Sequence, residues 1–306
     1  MATTRLTFKA TMAQISVPAT SANLGPGFDA LGLALELRDR YAAAVLDEAS
    51  FDIDVSGEGA DEVKKDKNNL VVRAMLHGFE HMGQKPRGIA LRALNVTPHG
   101  RGLGSSSSAI VGGLALSRAL VHGGENLMSD DQMVTLATEL EGHPDNVAAA
   151  VLGGATIAWM ESGIGKAVNT FVNEAIKATV FVPPSTLSTS KARKILPEMV
   201  PQSDAAINAG RAALLVHALS LRPDLLFTAT EDRIHQSYRE SAMPKSLELV
   251  QRLRSAGVAA VISGAGPSVL VLHTLSGTEE HEMIAAAGSG FTAQSLEISR
   301  KGYIQA

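Results

Sequence analysis

Apolar and polar positions alternate over short runs in both halves of the chain, with longer stretches of helical period between them. Phe51-Asp-Ile-Asp-Val55 alternates strictly, Leu31–Leu37 alternates weakly, and Ile15–Val17 and Tyr41–Leu46 are apolar runs, so each predicts a strand. Asn69–Met82 has helical period, Gly88–Val96 reads as strand, and Ala109–Leu120 is a helix of small residues. Ser129–Glu141 predicts a further helix with Ser129 as N-cap, and Ala155–Met160 a strand. After a glycine-bearing connection near Ser162–Gly165 come strand Thr179–Val182 and helices around Lys191–Ile195, Ala205–Leu219 and Lys245–Ala256. Strands Val258–Ser263 and Val269–His273, a helix ending at Ala287 and a strand near Ala293–Ile298 complete the pattern. Strands paired through turns with helices interleaved predict an α+β protein in two lobes. The expected organisation is a flexible tail over 1–13, a first lobe over 14–161 and a second over 162–306.

Composition narrows the chemistry. The 306 residues contain no Cys, which removes disulfides, thiolate nucleophiles and Cys-type zinc sites. A net charge of −4 with 4% aromatics suggests neither a basic nucleic-acid surface nor base-stacking side chains. No apolar run reaches the roughly 18 residues that a membrane span needs, and no apolar stretch ahead of a cleavage site marks a secretory signal. A cytoplasmic protein is the expectation.

Pro98-His-Gly-Arg-Gly-Leu-Gly-Ser-Ser-Ser-Ser108 is the most informative segment. Gly100, Gly102 and Gly104 let the backbone turn its amides outward, and Ser105, Ser106, Ser107 and Ser108 then meet a helix start, where free N–H groups and the helix dipole favour an anion. A phosphate-bearing ligand is the physical expectation, with hydroxyls available to phosphate or Mg²⁺. No Lys-Ser or Lys-Thr follows the glycines, so this is not a Walker A loop. Ser105 stands where the dinucleotide fingerprint has its third glycine.

Other candidates are individually weaker. Gly264-Ala-Gly-Pro-Ser268 and Asn23-Leu-Gly-Pro-Gly-Phe-Asp29 are glycine turns that could serve folding alone. Glu139, Glu141, His143 and Asp145 cluster at a helix end, where one glutamate at most faces a site and a carboxylate near a phosphate loop suits Mg²⁺. Arg193 and Arg239 are suited to bidentate grip of carboxylate or phosphate. His77-Gly-Phe-Glu-His81 matches a zinc-protease pattern, but Gly78 weakens the helix and Arg73 shares its face. Ser188-Thr-Ser-Lys191 matches an S-x-x-K motif whose S-D-N and K-T-G companions are missing from the chain.

Taken together, these segments resemble the GHMP small-molecule kinases. Pro98–Ser108 is similar to that superfamily's phosphate loop, and Ser263–Ser268 to its C-terminal glycine motif. Pro18–Asp29, Glu141–Asn146, Thr189–Pro197 and His235–Arg239 are similar, in order, to segments of the branch that phosphorylates L-homoserine. The resemblance implies a two-lobed α+β fold, with an ATP-binding α/β lobe and a ferredoxin-like C-terminal lobe. It also implies L-homoserine and ATP as partners, Mg²⁺ as cofactor, and a homodimer as the candidate assembly, with no nucleic acid or membrane. Asn23, Asp29 and His143 would then hold the amino and hydroxyl end of the substrate; Arg193 and Arg239, with Thr189 and Gly264, would surround its carboxylate. Asn69 would lie near adenine, with Pro98, Arg101, Leu103 and the loop glycines and serines around the phosphates. Ser106 and Glu141 would bind Mg²⁺, with Glu139 as the fallback ligand. Asp145, Asn146 and Arg193 are the catalytic candidates, with transition-state stabilisation rather than a strong base expected to dominate. A sister kinase for mevalonate, a sugar or shikimate, a nucleotide-binding regulator without turnover, and a zinc hydrolase are the rival readings.

Overall fold

The alternating and apolar runs of the first half form one mixed sheet, while those of the second half form a smaller sheet of their own. The computed structural model describes residues 8–288 and 290–306. The first lobe comprises β1 (Ala13–Ala22), β2 (Leu31–Leu46), β3 (Phe51–Gly57), α1 (Leu70–His81), β4 (Gly88–Asn95) and α2 (Ser105–Leu120). It continues through α3 (Gly124–Leu127), α4 (Asp130–Glu141), α5 (Asp145–Leu152), β5 (Ala155–Glu161) and β6 (Ile164–Thr170). The second comprises β7 (Lys177–Val182), α6 (Thr189–Lys194), α7 (Gln202–Ser220), α8 (Leu226–Ala229), α9 (Pro244–Ser255), β8 (Ala259–Ile262), β9 (Val269–His273), α10 (Thr278–Ala286) and β10 (Thr292–Leu296). The chain ends at β11 (Ile304–Gln305), which returns to the first sheet.

The larger sheet has the order β11-β1-β2-β4-β3, with β5 on β2 and β6 on β5, and only β3–β4 is parallel among its described pairs. The smaller sheet is antiparallel in the order β10-β7-β9-β8. Numbered within the lobe that order is 4-1-3-2, with helices after the first and third strands, which is the ferredoxin-like arrangement. Among the described residues, no helix is long and apolar enough to cross a membrane.

Several elements differ from the sequence reading, each for a local reason. Leu31–Leu37 and Tyr41–Leu46 are halves of one strand, because the polar Arg38-Asp39-Arg40 between them does not form a turn. Arg38 is instead clasped by Ser16, Ser299 and the Gly302 carbonyl, and Asp39 by the Val96 and Thr97 amides. β1 runs through Pro18 to Ala22 because a register shift between Pro18 and Ala19 absorbs the missing N–H. The loop serines already belong to α2, and the His143-Pro-Asp-Asn146 turn starts α5. β6, read as a connection, is a largely exposed edge strand with little periodicity.

The two lobes are not separate bodies in sequence. The expected boundary at 162 falls in the β5–β6 hairpin, both of whose strands belong to the larger sheet, and β11 forms its far edge. Of the expected tail, residues 1–7 lie outside the described residues; Phe8 bridges Val121 and sets its ring edge-on to Phe79, 5.3 Å between centroids. One apolar core fills the space between the large sheet and α1, α2 and α4. A second joins the lobes through Leu24, Leu33, Leu103, Val261 and Leu270, so the phosphate loop and the C-terminal turn are pinned to one another by buried side chains.

Candidate active site

The glycine loop is shaped by backbone conformations that only glycine adopts without strain. Gly102 and Gly104 both have φ of 71°. A Cβ on Gly102 would meet the Ser263 carbonyl, and one on Gly104 the Thr20 hydroxyl. The loop is held from every side: Thr20 N–H donates to Leu103 O at 3.0 Å, Leu187 N–H to Gly100 O at 2.9 Å, and Ser263 Oγ to Gly102 O at 2.6 Å. Leu103 is 1% exposed and anchors the loop in the inter-lobe core, a burial worth about 2 kcal/mol. α2 then begins with no side-chain cap on its first amides, and Ser105 and Ser106 line a cavity. An uncapped helix start of 16 residues presents donors and the positive dipole end to whatever occupies that cavity.

Carboxylate chemistry meets the loop at Glu141. Ser106 Oγ donates to Glu141 Oε1 at 2.6 Å and Ser107 Oγ to the same oxygen at 3.3 Å. Glu139 lies on another side of α4, where its Oε2 is 3.0 Å from His77 Nε2. Next along the chain, His143 Nδ1 donates to Asp145 Oδ1 at 2.9 Å, and the Asn146 amide donates to the same oxygen at 2.7 Å. Burial disfavours the charged His143 ring, but the hydrogen bond and charge of Asp145, with Glu141, outweigh it and raise its pKa. Asn146 Oδ1 accepts from Thr20 Oγ1, tying α5 to β1 at 2.8 Å.

The opposite wall carries the arginines. Arg193 forms a two-pronged pair with Asp29, at 3.0 and 2.7 Å, and the Asp29 hydrogen bond raises the guanidinium pKa. Asp29 is itself set by Asn23, whose Oδ1 accepts the Asp29 amide at 3.0 Å while its Nδ2 donates to Gly264 O at 2.9 Å. Arg239 is 1% exposed, yet among the described residues no carboxylate lies within 4.0 Å of its guanidinium. Its partners are neutral: Ala192 O at 3.2 Å, His235 Nδ1 at 3.0 Å and Gly264 O at 3.5 Å. Burial and the neighbouring Arg193 charge lower its pKa, outweighing the more distant attraction of Asp232 and Asp29. His235 is fully buried; burial lowers its pKa, and with Nδ1 accepting from Arg239 its Nε2–H donates to Gly25 O at 2.7 Å.

These walls enclose a cavity of about 260 Å³ lined by Asn23, Glu141, His143, Asp145, Arg193 and Arg239 together with loop residues 100–106. Asn146, Thr189 and Gly264 also line it. Asp29 stands behind Arg193, Ser107 and Ser108 are buried in α2, and Pro98 borders a separate groove. A second cavity of about 390 Å³ is lined by Asn69, Lys64, Asn95 and Tyr41, and shares Gly100, Ser105 and Ser106 with the first. The glycine–serine loop therefore stands between a nucleoside-sized space and a smaller polar one. Asn69 caps α1 through its Oδ1 and bonds Lys64 O through its Nδ2.

Two side chains at this site are not among the candidates read from the sequence. Asp39, 1% exposed, accepts from Val96 N at 2.6 Å and Thr97 N at 2.8 Å, the last amides before Pro98. Tyr41 OH joins its carboxylate to Ser108 Oγ, so both ends of the phosphate loop hang from one buried acid. The other is Phe28, whose ring lies beside both arginines. A charged residue amid an apolar strand was the available hint for the first, because burying a lone carboxylate is costly unless amides or hydroxyls satisfy it. The motif decoys have ordinary partners: His77 pairs with Glu139, and Ser188 Oγ caps α6 by accepting Lys191 N.

A glycine–serine loop opening a helix, set between two cavities and braced by a ferredoxin-like lobe, is the plan of a GHMP kinase. The family model described as GHMP kinases N terminal domain matches residues 69–154, and the one described as GHMP kinases C terminal matches residues 205–287. Homoserine kinase of Streptomyces coelicolor is 50% identical over 295 residues, covering 96% of this chain and 94% of that protein. Homoserine kinase of Clavibacter michiganensis is 48% identical over 292 residues, covering 94% and 92% respectively. The crystal structure of homoserine kinase from Cytophaga hutchinsonii superposes with a TM-score of 0.83 at 25% identity, over 97% of this chain and 98% of that one. The chain belongs to the homoserine kinase family of GHMP kinases.

Proposed function

We propose that this protein transfers the γ-phosphoryl group of ATP to the side-chain hydroxyl of L-homoserine, giving O-phospho-L-homoserine and ADP, a step of threonine biosynthesis. The observation that carries this reading is Arg239: a guanidinium 1% exposed, without a carboxylate partner among the described residues, on the wall of the cavity that the phosphate loop borders. A buried unpaired cation is costly, and the carboxylate of an amino acid is the complement that offsets the cost. Asp29 and Arg193 supply the other half of the recognition. A zwitterion inserted at their fork replaces one ion pair with two, its ammonium on Asp29 and its carboxylate shared by Arg193 and Arg239. A neutral sugar would leave the guanidiniums unmatched.

In this reading the nucleoside lies in the Asn69 cavity and the triphosphate along the loop. The α2 amides with Ser105 and Ser106 face the developing charge on the γ-phosphoryl group, where preorganised donors act most strongly in the transition state. Ser106 Oγ and Glu141 Oε1 form a hard-oxygen pair of the kind Mg²⁺ accepts alongside substrate phosphates, and these two residues would hold it. Bound there, Mg²⁺ supplies neutralisation of phosphate charge. His143, bonded to Asp145, and Asn146, bonded to Thr20, hold the hydroxyl end in line. As the hydroxyl oxygen bonds to phosphorus, the bond to the β–γ bridging oxygen breaks and the hydroxyl proton passes to a phosphoryl oxygen or water. Asp145 then acts by orientation: Asp145→Asn is expected to keep turnover within about tenfold, and loss of turnover with homoserine affinity intact would assign it as the base instead. The defining experiment measures ADP release from Mg-ATP with homoserine, mevalonate, galactose and shikimate in parallel. Release dependent on homoserine alone is expected, and its absence overturns the proposal.

A further inference from the structure

Two guanidiniums at one subsite repel each other, and only Arg193 has a carboxylate beside it. Asp232 and Asp29 attract Arg239 only from beyond ion-pair distance, so its guanidinium needs a closer partner that takes none of its donors. The Phe28 ring is placed for this. The Arg239 Cζ lies 5.7 Å from its centroid and the Arg193 Cζ 5.8 Å, while the neutral His235 ring stacks on it at 5.1 Å with an interplanar angle of 26°. Phe28 is tethered through the next residue, whose amide is fixed by Asn23.

We propose that Phe28 is the positioning residue of the carboxylate subsite, its ring holding the Arg193 and Arg239 guanidiniums together so that both face one carboxylate. The aromatic quadrupole attracts a cation without accepting a conventional hydrogen bond. An aspartate in the same place would satisfy the arginines and consume the donors that a ligand needs. The ring takes no donor from either guanidinium. His235 completes the device, because its Nδ1 takes the Nη1 hydrogen of Arg239 while its own ring rests on Phe28.

The inference rests on the reading of this cavity as the amino-acid site, and the experiment separates the two. Homoserine-dependent ADP release by the unmodified enzyme tests that reading first. Phe28 is then replaced by mono-, di- and trifluorinated phenylalanine, which keep ring size while progressively removing the quadrupole. The homoserine KM is expected to rise stepwise, reaching roughly three- to tenfold, with the ATP KM and melting temperature unchanged. Phe28→Leu, apolar but without a π-face, is expected to raise the homoserine KM about tenfold. A flat homoserine KM across the fluorinated series, in an enzyme that still phosphorylates homoserine, overturns the role of the ring. So does an equal rise in the KM for ATP.

Discussion

Replacing Arg239 with methionine separates what this side chain does for the ligand from what it does for the fold. In the folded protein Nε donates to Ala192 O at 3.2 Å and Nη1 to His235 Nδ1 at 3.0 Å, and the contact to Gly264 O at 3.5 Å is at the limit of a hydrogen bond. Among the described residues, Nη2 makes no hydrogen bond. Loss of the two good bonds destabilises by about 1–3 kcal/mol each, while removal of a desolvated, unpaired cation returns several kcal/mol. These terms oppose one another, so Arg239→Met should melt within a few degrees of the unmodified protein. Binding has no such compensation. A charge-assisted bond to a buried carboxylate is worth about 1.5–3 kcal/mol, so losing roughly 3 kcal/mol raises the homoserine KM about 150-fold. Arg239→Lys keeps the charge but loses the fork, and should fall between, near tenfold. Steady-state kinetics in each substrate, with melting curves with and without homoserine, provide the assay; the stabilisation by homoserine should vanish in the methionine variant. A homoserine KM changed by less than about threefold, or an ATP KM rising in step with it, refutes the assignment of the carboxylate to Arg239.

Three further outcomes follow from the geometry. Glu141→Gln should lower kcat about 100-fold with little effect on the homoserine-induced shift in melting temperature, because it removes charge at the phosphates and not at the amino acid; an unchanged kcat sinks the metal assignment. Asp39→Ala leaves the Val96 and Thr97 amides without their acceptor, the latter in a buried position, and should cost about 2 kcal/mol in denaturant unfolding, with Asp39→Asn recovering most of it. Equal stability of the alanine and asparagine variants would contradict that account. The raised pKa of His143 means that its pairing with Asp145 contributes stability below about pH 6.5, and that this contribution is lost as pH rises through the raised folded value. The stability advantage of the unmodified protein over His143→Gln should therefore shrink with increasing pH, and growth of that advantage would reverse the sign assigned to the pair.

Local chemistry was legible in the sequence wherever the residues that cooperate are neighbours. The phosphate loop, its serines and the helix behind them are contiguous, so composition alone pointed to an anion site. The same holds for the His143–Asp145 pair, two residues apart. What lay beyond reach depends on long separations: Asp39 reads as a polar break in a strand until Val96 and Thr97, 57 and 58 residues on, are seen to bond it. Between Glu139 and Glu141, spacing alone offered no choice and only the family resemblance favoured Glu141; helix rotation turns Glu139 toward His77 and Glu141 toward Ser106. Asp29 and Arg193 read as independent ligands, because nothing in sequence shows that 164 residues later they meet. β11 has two residues, too few for any period to register.

That last strand has a consequence for how the chain can be divided. Ile304 and Gln305 pair with Ser16 and Ile15, and Arg38 reaches Ser299 and Gly302, so the lobe that starts first is the last to be finished. Cutting the polypeptide between lobes would not yield two modules. The first would keep an unpaired β1 edge, open to association with any extended segment, and the second would carry a strand belonging to its neighbour. Acquisition of the native topology requires closure over almost the whole length of the chain, which predicts slow folding and a poor tolerance of circular rearrangement at the hairpin near residue 162.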